Sequence, residues 1–426
     1  FREWLPMVCR RPEMCYNLCM KNGTRLKKWI GRIDWLLIGT LCVLIIGYVM
    51  LHDLLGGTLF RHNDWDSYTL QALAWREGRM ALSQNYSWLE LAVYNGQYYV
   101  SFPPLPSVVM LPLTYIWGAD TPNNIVVMVF ALSAVVCAYE CFRKMGAKDT
   151  VSMFWAVFFV MGSNMLWMST TGGVWFLAQG LNLALCFGAV WAMLCQKRAL
   201  CLALIALAVG CRPFSLCLLG AAFVYFCMQD KRETDVAWYK AALRQAKYLI
   251  LPLAIGLCYA WYNYARFGNP LEFGHNYLPE FSAEGSEQFG GKYLWQNAYN
   301  ILLRSVTVQA DGTLSFPLFD GFMFYIANPI FLVWFVYLIQ DIAKKRMTGE
   351  KWLITAALCL NLVLLMVHKT FGGWQFGARY TVDLLPYVLW YFMRCERKTP
   401  KRWELLLGAF AVLFNLYGAL YMFLKG

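Results

Sequence analysis

Two carboxylates one residue apart, Asp64 and Asp66, stand shortly after the first apolar run, beside His62, Trp65, Tyr68 and Gln71. On an extended segment residues i and i+2 point to the same side, so the pair can share one task. A carboxylate near an acceptor hydroxyl can draw off its proton, and it can face positive charge developing on a carbon such as that of a sugar ring. Two other readings stay open. Asp66 can be an ordinary helix cap with Asp64 merely solvated. Paired carboxylates, here with His62 alongside, also suit Mg²⁺ or Mn²⁺, although no residue is assigned as a metal ligand.

The segment around them, 62–107, is dense in definite elements. Residues 67–77 read as a short helix, capped by Asp66 and closed by Gly78. Leu91–Val100 reads as a hairpin about Asn95-Gly96, a pair that favours a type I′ turn. Ser101-Phe102-Pro103-Pro104 is rigid and extended. A loop built this way reads as the wall of a site. Its nine aromatics, Tyr68 and Tyr99 among them, are either faces for stacking on sugar rings or part of the aromatic belt of a membrane surface. Glu90 is either a further acid or a partner of Arg76 or Arg79.

Cations come from elsewhere. The stretch 368–386, HKTFGGWQFGARYTVDLLP, offers Lys369 and Arg379, with Trp374 between them and Gly372, Gly373 and Gly377 letting backbone approach a ligand. Arginine holds two phosphate oxygens at once and lysine acts as a point charge. The plainer alternative pairs Arg379 with Asp383 at i, i+4 on one helix. Arg212 interrupts an apolar stretch, where a charge is costly and usually functional. His275, in YNYARFGNPLEFGHNY (262–277), is either a phosphate or metal contact or a loop histidine satisfied by hydrogen bonds.

The elements that must position these groups follow from composition. Hydrophobic residues make up 59% of 426 positions and charged residues 15%, far from the quarter typical of soluble domains. Apolar runs of about 17–22 residues recur along the chain, long enough to cross a bilayer as helices. The chain is therefore expected to be an all-α polytopic membrane protein of about eleven spans, near 33–51, 124–142, 150–168, 174–194, 199–211, 213–228, 248–265, 325–341, 352–368, 384–395 and 403–424. The segment 105–118 holds two prolines and reads as re-entrant or interfacial. Arg212-Pro213 breaks 199–228 into a hairpin of short helices, with Arg212 at the tip. A basic leader, 1–32, precedes a single membrane domain, 33–426, whose outer loops are 52–107 and 266–324.

Net charge is +12, but its placement excludes a nucleic-acid partner. With the N-terminus cytoplasmic, 27 of the 37 Lys and Arg fall in inner segments, as the positive-inside bias requires. All four histidines then lie outside or at a span's outer end. The cysteines avoid the long polar loops, which excludes a disulfide framework.

The acids after the first span, Tyr-Tyr-Val-Ser-Phe-Pro-Pro (98–104), Arg-Phe-Gly-Asn-Pro-Leu-Glu-Phe-Gly (266–274) and Gly-Gly-Trp-Gln-Phe-Gly-Ala-Arg-Tyr (372–380) together resemble bacterial membrane glycosyltransferases of the GT-C superfamily. Relatives there include protein O-mannosyltransferases and lipid A aminoarabinose transferases. The resemblance implies 11–13 helices with a cavity under the first outer loop. It also implies a polyprenyl-phosphate sugar donor, hexosyl or pentosyl transfer with inversion, and an essential carboxylate at Asp64 or Asp66. The implied setting is the bacterial plasma membrane, with an extracytoplasmic site serving the cell envelope and an acceptor that is a glycan, lipid or protein. The main alternative is a transporter or flippase for a lipid-linked saccharide. The transferase reading requires the carboxylate pair and the cations to face one pocket.

Overall fold

The computed structural model describes residues 34–281, 287–395 and 399–425; the basic leader lies outside them. The chain divides into two compact units, residues 1–45 and 46–426. Of the first, residues 34–45 are described. They are the apolar opening turns of helix α1 (Trp35–Leu54), where Asp34 Oδ1 accepts from the Leu37 amide at 3.0 Å.

In the second unit the first outer loop forms helix α2 (Ser67–Arg76) and the antiparallel hairpin β1 (Leu91–Tyr94) and β2 (Gln97–Val100), with Leu91 opposite Val100. Asn95 and Gly96 both have positive φ, 50° and 71°, as a type I′ turn demands. The hairpin's buried face, Ala92 and Tyr99, packs on Phe267. Arg266 locks that contact by donating to Val100 O at 2.7 Å. Helix α3 (Leu105–Trp117) follows, with Pro106 in its first turn and Pro112 inside. At about 20 Å it is too short to cross a bilayer.

The remaining helices are α4 (Asn123–Lys144), α5 (Asp149–Val160), α6 (Met165–Met168), α7 (Val174–Leu194), α8 (Arg198–Val209), α9 (Ser215–Thr234), α10 (Trp238–Ala246), α11 (Ile250–Phe267) and α12 (Lys292–Leu302). A two-residue strand pair, β3 (Thr307–Val308) with β4 (Leu314–Ser315), separates them from α13 (Phe324–Ala327), α14 (Ile330–Ala343), α15 (Gly349–Met366), α16 (Leu385–Phe392) and α17 (Arg402–Lys425).

Among the described residues six stretches are long and apolar enough to cross a membrane: α1, α4, α7, the α10–α11 run, α15 and α17. Helices α5, α8 and α14 are apolar but shorter. The expected hairpin at 199–228 is present as α8 and α9, with Arg212 and Pro213 in the connecting turn. Three other expected spans are not single α-helices. The stretch 325–341 is divided between α13 and α14 at Asn328-Pro329. The stretch 150–168 breaks after Val160, because Ser163 and Asn164 turn inward as buried polar residues. Asn164 exchanges hydrogen bonds with Asn328 (2.7 and 2.9 Å) and donates to Phe376 O and Asn415 Oδ1. The stretch 384–395 yields only the eight residues of α16, since Arg379–Leu384 winds as a 3₁₀ helix.

Candidate functional site

A cavity of about 1200 Å³ opens in the second unit, walled by the first outer loop, the α8–α9 turn, the 271–281 turns and the glycine-rich stretch before α16. Arg212, Arg379, Glu90, His275 and Trp374 all line it. Five site residues expected from sequence, drawn from four distant segments, are thus brought together.

The two guanidiniums share one ring: their central carbons lie 4.4 Å (Arg212) and 4.9 Å (Arg379) from the centre of Tyr380. They are held differently. Arg212 Nε donates to Asp383 Oδ2 at 2.8 Å. Burial alone would weaken its hold on a proton, but the Asp383 charge and Tyr380 raise its pKa above the arginine norm. Arg379 is buried, and no carboxylate lies within 4 Å of it among the described residues. Its Nε donates to Gly372 O (2.8 Å) and its Nη1 to Gln179 Oε1 (2.9 Å), while Gln179 returns a bond to Arg379 O. Burial pulls the Arg379 pKa down, against the help of Tyr380. A desolvated cation compensated by neutral dipoles has attraction left for an anion.

The i, i+4 pairing of Arg379 with Asp383 does not form. A 3₁₀ helix places such residues on different faces, so Asp383 turns to Arg212, Asn182 and Gln179 instead.

Glu90 is exposed and lines the cavity. Its Oε2 accepts from Trp175 Nε1 at 3.2 Å, and the same indole lies 5.8 Å from the Arg379 guanidinium. Burial raises the Glu90 pKa; the Trp175 bond and the Arg379 charge oppose that rise. Trp65 sits 6.0 Å from Trp175 and also lines the cavity. Glu90 pairs with neither Arg76, which donates to Thr114 O, nor Arg79, which binds Glu77.

The carboxylate pair separates. Asp66 is buried, and its side chain is consumed as the cap of α2: Oδ1 accepts from the Tyr68 and Thr69 amides, Oδ2 from Thr69 Oγ1 (2.5 Å) and Asn123 Nδ2 (3.1 Å). Burial raises its pKa, against those bonds. Neither aspartate lines the cavity. Asp64, however, is exposed and stands between two residues that do, Asn63 and Trp65. Of the groups expected to share one pocket, Arg212 and Arg379 line it, Lys369 and Asp66 do not, and Asp64 stands beside it without lining it; Glu90 lines it as well.

Four other expected residues have structural work instead. Tyr68 is fully buried and packs near Phe102. Gln71 is buried between Met80 O and the Tyr262 hydroxyl. Tyr99 belongs to the hairpin core, its hydroxyl bonded to Gln97. Lys369 donates to Glu280 O at 2.5 Å and does not line the cavity. Of the glycines, Gly377 (φ 80°) serves packing: a Cβ there would sit 2.4 Å from that of Ala327. Gly373 (φ 57°) lines the cavity with open space beside it.

His275 and His368 both line the cavity, on either side of Phe281. Burial, above all, lowers each pKa to about 4, so both are neutral at pH 7. The residues weighed for a metal, Asp64, Asp66 and His62, are not gathered into one site. Among the described residues no group of three or more His, Cys, Asp or Glu is gathered. Asp66 has no oxygen to spare, and His62 Nδ1 bonds Thr121 O. Sequence reasoning missed Trp175 and Gln179, and named Asp383 only as a partner of Arg379. Its available signal was Gln179 and Asn182, two amides three residues apart in an otherwise apolar helix.

No family model matches the chain, and no curated protein does. Solved structures of the oligosaccharyltransferase of Archaeoglobus fulgidus overlap its trace weakly. The apo crystal structure covers 92% of this chain and 56% of its own, at 13% identity and TM-score 0.49. A form tethered to an acceptor peptide containing the NVT sequon covers 86% and 51%, at 11% and 0.46. A complex with an inhibitory peptide and a dolichol-phosphate covers 92% and 55%, at 12% and 0.42. The chain spans about half the length of those proteins.

Proposed function

We propose that this chain is a membrane glycosyltransferase that moves a sugar from a polyprenyl-phosphate carrier to an acceptor hydroxyl, with inversion. The observation that carries the reading is the pair of guanidiniums, Arg212 and Arg379, beside one tyrosine ring in a largely apolar cavity. A phosphate leaving group needs such an electrostatic clamp, and low-dielectric walls strengthen it. The sugar lies against Trp65 and Trp175, with Glu90 on its hydroxyls.

In the transfer step the acceptor oxygen bonds to the anomeric carbon as that carbon's bond to the phosphate oxygen breaks. The electron pair leaves with the phosphate, whose added charge the two arginines balance. The acceptor proton passes to Asp64. Asp64 is favoured over Asp66 because its carboxylate is exposed at the rim, whereas every oxygen of Asp66 is engaged in capping. The setting proposed is the plasma membrane of a bacterium with the cavity facing outward.

Asp64→Asn and Asp66→Asn, assayed with a labelled polyprenyl-phosphate sugar, test this. Asp64→Asn should abolish transfer while keeping the melting temperature. Full activity in that variant overturns the assignment of the base, and full activity in Arg379→Gln overturns the clamp.

A further inference from the structure

The end of the molecule away from the cavity carries a second kind of surface. Helix α9 starts at Ser215, beside the cavity-lining Arg212 and Phe214, and runs 20 residues to Thr234, about 30 Å. Helix α10 follows it there. Ala241 and Gln245, one turn apart, are buried, and Gln245 accepts from Arg198 at 2.9 Å. Two outward stripes run along α10 into the turn that follows. Tyr239 and Leu243, at i and i+4, are exposed at 64% and 71%, and Ile250, the first residue of α11, at 70%. Beside them Lys240 and Arg244 of α10 and Lys247 of the 3₁₀ turn form a basic stripe at i, i+4 and i+7, also exposed.

The charges there are divided. Three carboxylates at this end have partners: Asp230 has Arg244 (3.7 Å), Glu233 has Arg198 (4.0 Å), and Glu350 has Arg232 (3.4 Å) and Arg394 (3.1 Å), while Asp235, in the turn before α10, is exposed with no cation within 4 Å among the described residues. Lys231, Lys240 and Lys247 have no carboxylate within 4 Å among the described residues. Each lies over an aromatic ring instead: Trp238 at 5.1 Å, Tyr239 at 6.0 Å and Tyr248 at 5.1 Å. Helix α11 continues from a 3₁₀ turn at Lys247–Leu249 with 18 residues. These reach about 27 Å, close to a hydrocarbon thickness. Helix α10 therefore lies where that crossing helix leaves the membrane.

We propose that α10 is a binding site for the phosphate headgroups of anionic phospholipids, its apolar stripe set among acyl chains and its lysines against the headgroups. An apolar stripe bordered by a basic one, with Trp and Tyr at the boundary, is the composition of an interfacial helix. Lysines lacking carboxylate partners give it a preference for anionic over zwitterionic lipid. The site is independent of the transferase reading, since it lies far from the cavity.

The test uses the full chain in neutral detergent, titrated with phosphatidylglycerol or phosphatidylcholine and followed by native mass spectrometry and melting temperature. Wild type should bind phosphatidylglycerol preferentially and melt higher with it. Lys240→Gln with Lys247→Gln should weaken that binding about tenfold without changing the lipid-free melting temperature. Leu243→Gln should weaken both lipids alike. Lys344→Gln with Lys345→Gln, exposed lysines beside α14, should leave it intact. Equal affinity for the two lipids, equal losses in the two double variants, or a dimer that Leu243→Gln dissolves would each overturn the proposal.

Discussion

Arg212 Nε and Asp383 Oδ2 stand 2.8 Å apart, joining the α8–α9 turn to the 3₁₀ helix that leads into α16. The Asp383 side chain is 4% exposed and that of Arg212 17%, so removing one partner strands the other. Asp383→Ala should cost about 3 kcal/mol, the lower end for breaking a buried pair, because Arg212 keeps some cavity exposure. It should also free Arg212 to shift from Tyr380. Melting temperature in detergent and single-turnover transfer together check this. Arg212→Gln, which leaves the Asp383 carboxylate buried without its cation, should also lower the melting temperature, and should reduce transfer by at least about a hundredfold in the fraction that stays folded.

Asp66 has the opposite profile. Asp66→Ala removes the cap of α2 and leaves Asn123 Nδ2 without its 3.1 Å acceptor. The cap alone is worth about 0.5–2 kcal/mol. A lower melting temperature is expected, with residual transfer tracking the folded fraction. Asp66→Ser, which retains a cap acceptor, should recover much of the loss. A fully folded but inactive Asp66→Ser would contradict the capping role.

His275 and His368 predict an acid limit to stability. Both have a folded pKa lowered to about 4, below the ordinary histidine value of 6.5. The unfolded chain therefore takes up protons first as pH falls, and the stability the neutral rings lend is whole above about 6.5 and lost towards 4. Melting temperature should decline across that window. In the His275→Gln/His368→Gln double variant the decline should flatten.

Glu90, with its pKa raised by burial, should set the acid limb of transfer. If the ionised form holds the sugar, activity falls at a pH above the ordinary carboxylate range. Glu90→Gln should lower kcat/KM and erase that limb. Trp175→Phe, which removes the 3.2 Å indole bond to Glu90, should move the limb to still higher pH, since that bond stabilises the carboxylate. A pH–rate profile that is the same in all three proteins would exclude the role.

What could be read without coordinates was local. The Asp66 cap, the Asn95-Gly96 turn and the break at Arg212-Pro213 depend on neighbours within a few residues, whose geometry the backbone itself dictates. The long apolar runs likewise announce helices of crossing length, because hydropathy and length are properties of each segment alone. Long-range packing decided the rest. Whether Asp383 answers Arg379 or Arg212 turned on a 3₁₀ rather than α winding, set by the contacts of the 372–384 stretch with Gln179, Asn164 and Ala327. Glu90 gained its place from Trp175, 85 positions away. Asp64 and Asp66, two residues apart, were parted because capping drew one carboxylate inward onto Asn123 and left the other at the rim. Side chains that look equivalent in a sequence differ once burial decides which of them still has an oxygen to offer.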